Sequence, residues 1–215
     1  MTNVLTEGFR PGEYLVSEAE GFRSREQGVL LSGQVVVASA VLGRLLHAGV
    51  TAGAITGTGN GVLGTITVGA AAKPGAHILK ITKAVANAGD FELIDPLGEV
   101  CGIGSVGQAF AGGGLAFTLA DGATDFAVGD AIVITVAVGS GKYVALDLAG
   151  TDGRQHAAAI AYAGVDASAG DRRLVVTARD TEANAHCLTW PAGITTDQIT
   201  AARAELAGSG IIVRD

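Results

Sequence analysis

Glycine limits what this chain can become: it holds 33 of 215 positions, recurring through the whole length. Glycine weakens helix interiors but suits tight turns and close backbone approaches. Long helices are therefore disfavoured, and short extended segments joined by turns are favoured. The segments between glycines agree, since Thr65–Val68, His77–Thr82, Phe91–Ile94, Leu115–Leu119 and Ala131–Val138 are β-branched or alternate apolar with polar. Pro74-Gly75, Asp95-Pro96-Leu97-Gly98, Gly112-Gly113-Gly114 and Asp121-Gly122 separate them as turns. Residues 47–142 thus read as an all-β domain, a small sandwich or barrel.

The flanking sequence differs. Val29–Leu31, Gln34–Ala40, Tyr143–Leu148, Ala157–Tyr162, Arg173–Ala178 and Ile211–Val213 read as strands. Thr195-Thr196-Asp197-Gln198 has the pattern of a capping box opening a helix, with Gly208 placed to end it. The chain as a whole is predicted to be mainly β with one or two short helices: a small α+β core from 29–46 and 143–215, interrupted by the 47–142 β-domain. Residues 1–28 hold no period of 2 or 3.6 and are predicted to be an extended arm. Phe9, Tyr14, Leu15 and Phe22 are more large apolar groups than a purely solvating tail carries.

Charge and chemistry narrow the function. The net charge is −7, and no segment clusters Lys or Arg as a phosphate-binding surface requires, so no direct nucleic-acid contact is expected. The longest apolar run, Val35–Leu42, is too short to cross a bilayer, and no signal peptide, disulfide or membrane association is expected. Gly59, Gly61, Gly64 and Gly102, Gly104, Gly107 match the spacing G-x-G-x-x-G. Neither match leads into a helix, so both read as β-turn glycines rather than a nucleotide site. His47, His77, His156 and His186 lack zinc spacing, and no G-x-S-x-G elbow occurs. Asp90, Asp95, Asp125 and Asp130 close two similar corners, Asp-Phe-x-aliphatic-x-Asp, and read as turn formers rather than calcium ligands. No catalytic residue, cofactor or metal is expected, and the chain is not expected to be an enzyme.

Two stretches resemble the lambda-type bacteriophage head decoration protein family. One is Ser24-Arg25-Glu26, then Leu31-Ser32-Gly33-Gln34 and Val41-Leu42-Gly43-Arg44; the other runs from Tyr143 to Val213 and includes Leu188-Thr189-Trp190-Pro191 before the capped helix. Together they span about half the chain, and 47–142 departs from the shortest members as an insertion. The resemblance implies a structural protein, made in the host cytoplasm, that binds as a homotrimer at three-fold sites on the outside of the expanded capsid. Its partner would be the major capsid protein, and its effect stabilisation of the head. Residues 1–28 would be the capsid-binding arm, adding a strand to a capsid sheet edge. Phe9, Tyr14 and Phe22 would be apolar anchors, with Ser24, Arg25 and Glu26 at the arm's junction and Arg25 forked onto a capsid carboxylate. Trp190 and Pro191 would anchor the core or the trimer. The alternative is a surface-exposed module, with 47–142 adhering to a host surface or carbohydrate; its lack of Trp and Tyr argues against sugar stacking.

Overall fold

The computed structural model describes residues 7–69 and 71–215. The protein is mainly β. It opens with β1 (Leu15–Glu18), a single helical turn α1 (Gly21–Ser24), β2 (Arg25–Leu30), β3 (Val35–Val36) and β4 (Val41–Arg44). Nine strands follow: β5 (His47–Ala52), β6 (Val62–Leu63), β7 (Thr67–Val68), β8 (Gly75–Val85), β9 (Ala88–Ile94), β10 (Val100–Ser105), β11 (Ala109–Gly112), β12 (Leu115–Ala120) and β13 (Ala131–Val138). The chain closes with β14 (Tyr143–Ala145), β15 (Ala159–Ala161), β16 (Val165–Asp166), β17 (Arg172–Thr177), β18 (Thr181–Asn184), α2 (Thr196–Gly208) and β19 (Ile211–Arg214). These elements form two compact units, one of residues 1–45 and 141–215, the other of residues 46–140.

The discontinuous unit is built on a closed five-stranded barrel, β14-β2-β17-β15-β4. So few strands enclose a narrow interior, and Ala40, Ala159 and Ala161 help to fill it beside Leu30, Leu42, Leu174 and Val176. Glycine serves the same crowding. A Cβ on Gly28 would lie 2.5 Å from the Tyr143 ring, and one on Gly43 2.2 Å from the Arg154 carbonyl oxygen. A second core joins Val41, Leu146 and Ile160 to Ala202 and Leu206 of α2, Ile211 of β19 and Ala183 of β18. The three-stranded sheet β1-β18-β19 contributes to it, with β1 antiparallel and β19 parallel to β18.

The predicted arm is largely folded here. Residues 1–6 lie outside the described residues. From Gly12 onward the segment is tied in: Gly12 N–H donates to the Tyr162 carbonyl, β1 pairs with β18, and all six residues of β2 pair with β17. Backbone pairing supplies the order that the side-chain pattern of 1–28 does not signal. Two smaller corrections concern turns. Val37–Ala40 does not continue β3, because Ser39 adopts φ +66° and the chain turns. The helix runs through Gly208, and Gly210 takes the left-handed position (φ +81°) instead.

Residues 46–140 form a β-sandwich. One sheet has the order β10-β9-β8-β13-β5, and the other β11-β12-β6 with β7 also on β12. Between them pack Leu79, Ile81, Leu93, Leu115, Leu119, Ile132 and Ile134 with four phenylalanines. Phe91, Phe110 and Phe117 touch with ring centroids 4.9–5.9 Å apart. The G-x-G-x-x-G matches are explained here, since a Cβ on Gly59 or Gly61 would strike Phe126, and on Gly102 or Gly104 the Phe110 ring. Asp95 and Asp130 bind turn amides: Asp95 those of Leu97 and Glu99, Asp130 those of Thr58, Gly59 and Ala127.

Candidate functional site

The anchor residues expected at a capsid contact separate into two groups. Tyr14, Ser24, Arg25 and Glu26 are committed within the chain. Tyr14 is fully buried and its hydroxyl bonds that of Thr177. Burial pushes its pKa up to about 12, against a smaller lowering by the Thr177 bond and Arg25, so the phenol stays neutral. The Ser24 hydroxyl, also buried, donates to the carbonyls of Ala19 and Asp180 and fixes the turn α1.

Arg25 forks onto Glu18, its Nε 3.0 Å from Oε2 and its second nitrogen on Oε1, and stacks 4.2 Å from the centre of the Tyr162 ring. The carboxylate that Arg25 holds within the chain lies seven residues upstream. Glu26 accepts from the Tyr143 hydroxyl at 2.7 Å and from Arg179 at 2.5 Å. These bonds tie the β1–α1–β2 segment together and join it to Tyr143, Arg179 and Asp180.

Phe9 and Phe22 are different. Both are exposed, Phe22 completely. The Ser24 bonds and an ion pair from Arg23 to Asp180 (2.9 Å) hold the helical turn that carries Phe22 outward. Beside it lies the outer face of the β2–β17 pair. Cross-strand register sets Gln27 opposite Val175 and Val29 opposite Arg173, and all four are exposed. Tyr14 covers one end of this face through Thr177. Next to it a shallow groove is lined by Phe22, Arg25, Glu26, Gln27 and Val175. Its apolar floor, aromatic rim and flanking Arg173 can take an apolar side chain and a neighbouring acid. Val29, Arg173 and Val175 belong to no motif in the sequence, where residues 25–28 read as arm and only Val29–Leu31 and Arg173–Ala178 as strands; the alternation of Arg173 and Val175 with Leu174 and Val176 is the one hint of an outward face.

Trp190 and Pro191 are half-buried. Trp190 packs against the core holding Leu188, Leu206 and Ile211, while Thr189 beside it bonds Ser39 and Val41 through the backbone. Pro191 accepts from the Ile194 amide in the turn that leads to the Thr195 cap. Among the described residues no three His, Cys, Asp or Glu side chains converge as metal ligands, and the two cysteines are free thiols.

The model of the bacteriophage lambda head decoration protein D family matches residues 4–211. The chain belongs to this family. The match spans residues of both structural units. No individual curated protein matches. Among solved structures, two crystal structures of FlgL from Xanthomonas campestris are similar over 47% and 48% of the chain at 20% and 19% identity, with TM-scores of 0.33 and 0.31. The match covers 33% and 30% of those FlgL chains. Family membership makes this a structural protein of the phage head, associated with the capsid in the virion, and no catalytic role follows from it. Among the described residues no helix is long and apolar enough to cross a membrane.

Proposed function

We propose that the protein decorates the outside of the expanded phage capsid as a homotrimer at local three-fold positions and stabilises the shell against the pressure of packaged DNA. The partner is the major capsid protein. The observation that supports this reading best is a fully exposed Phe22 beside a shallow groove floored by Val175, in a chain belonging to the head decoration family. Isolated exposed apolar residues are common, but an aromatic beside a groove floored by Val175 and flanked by Arg173 has the makeup of an interface hot spot. The contact comprises this groove and the segment up to Pro11, which includes Phe9. The remaining residues of 12–28, Tyr14 and Ser24 among them, support it from within the fold. Trimerisation strengthens attachment by linking three such contacts. Nucleic acid is not a partner: the net charge is −7 and cations are dispersed.

The test is co-sedimentation with expanded, undecorated shells of the source phage. Full-length protein is compared with Phe22→Ala and with a variant lacking residues 1–11. The expected result is saturable binding in multiples of three per three-fold site, weakened about tenfold or more by Phe22→Ala and further by the truncation. Equal binding by all three would remove the groove and the segment from the contact, and no binding by any would remove the decoration role.

A further inference from the structure

The outer face of the five-stranded sheet in residues 46–140 is organised in rows that run across the strands. Register places Val133, Ile78, Ile94 and Val100 side by side on β13, β8, β9 and β10. The next row is Ala131, Lys80, Glu92 and Ile103, and beyond a bulge Lys83, Asp90 and Ser105 follow. Val133, Ile78, Val100 and Ile103 are exposed, Ile103 by 76%. The solvent face of an antiparallel sandwich is ordinarily polar, and an aliphatic row across four of its strands marks an interaction surface.

The charges identify the occupant. Both lysines stand on β8 and both acids on the adjacent β9. Among the described residues neither Lys80 nor Glu92 makes an ion pair within the chain, and Lys83 and Asp90 approach only to 3.9 Å. A two-fold axis parallel to the strands, lying between β8 and β9, sets β8 of one copy over β9 of the other without shifting the rows. Ile78 then meets Ile94, Val133 meets Val100, Lys80 meets Glu92 and Lys83 meets Asp90. Aliphatic groups meet only aliphatic groups in the central row, and every lysine meets an acid. We infer that residues 46–140 bind a second copy of this chain through this face, as two aligned sheets packed about 10 Å apart. Four strands give a footprint of roughly 400 Å² per copy, below that of a permanent interface. The contact is weak between free molecules and gains strength where copies are held close together.

Charge exchange tests this on the full chain and without shells, so the outcome is separate from capsid binding. Weight-average mass is followed by sedimentation from micromolar to millimolar concentration for wild type, Lys80→Glu, Glu92→Lys and an equimolar mixture of the two variants. Both positions are on the sheet surface, and circular dichroism confirms folding. In the proposed geometry each variant alone confronts like charges, whereas the mixture restores opposite ones. The expected result is at least a doubling of mass for wild type and for the mixture at high concentration, with each variant alone remaining at its low-concentration mass. Wild type and variants that are indistinguishable at every concentration, or a mixture that behaves as its separate components, would overturn the proposal.

Discussion

Tyr14 shows how one residue can change a segment's meaning. In a polar stretch it reads as an anchor for a partner, yet it sits fully buried with its hydroxyl on Thr177, 163 residues away. Replacing it with Phe keeps the ring and strands the Thr177 hydroxyl, at a cost of about 1–3 kcal/mol, read as a lower denaturant midpoint of the full chain. Asp95 makes a different prediction. Lys73 at 2.5 Å, then the Glu99 and Leu97 amides, hold its pKa near 2, below the ordinary 3.8. A depressed carboxylate contributes stability that is fully present above its unfolded value and disappears as pH falls through the folded one. Unfolding of residues 46–140 should therefore become easier between about pH 4 and pH 2, and Asp95→Asn should flatten that dependence while lowering stability at neutral pH. An unchanged slope in Asp95→Asn would assign the acid sensitivity elsewhere.

Among the elements, α2 was the most legible. Thr195 accepts from the Gln198 amide and the Gln198 side chain returns to the Thr195 amide, as the four-residue pattern predicts. Thr195→Ala should cost about 1 kcal/mol, measurable in thermal unfolding. β13 was equally plain, because Ala131–Val138 alternates buried and exposed side chains through most of its length. β10 was missed because Gly102 and Gly104 interrupt it, and their lack of side chains is what admits Phe110 and Phe91. β1 was missed for another reason. Leu15-Val16-Ser17-Glu18 has no pattern of its own, and it becomes a strand only because β18 lies beside it. The candidate site divides in the same way. Phe9 and Phe22 were visible as aromatics in polar sequence, whereas the internal ties of Ser24 and Glu26 depend on Asp180 and Arg179, more than 150 residues away.

At the scale of the whole molecule, the two crossings between units lie together. In the discontinuous unit Leu45 N–H donates to the Lys142 carbonyl at 3.0 Å, and Gly141 N–H to the Leu45 carbonyl at 2.9 Å; in the other, Gly139 N–H donates to the Leu46 carbonyl at 2.8 Å. A two-residue turn such as Asn-Gly can therefore join Leu45 to Gly141 in place of residues 46–140. The shortened chain should fold cooperatively and keep its shell binding; loss of the cooperative transition would show that the barrel requires the insert.

The paired crossings also bear on the order of folding. The barrel strands β2 and β4 are made before residues 46–140, and β14, β15 and β17 after them. Closing so long a loop while it is still unstructured costs about 3 kcal/mol more than closing a short turn. A sandwich that folds first, from contiguous sequence, brings its own two ends within one hydrogen bond. It thereby delivers the late strands to the early ones as a hairpin would, turning a distant encounter in sequence into a local one. Residues 46–140 would then guide the folding of the barrel strands that flank them in sequence, and mutations that slow the sandwich should slow the barrel as well, even where its finished stability is untouched.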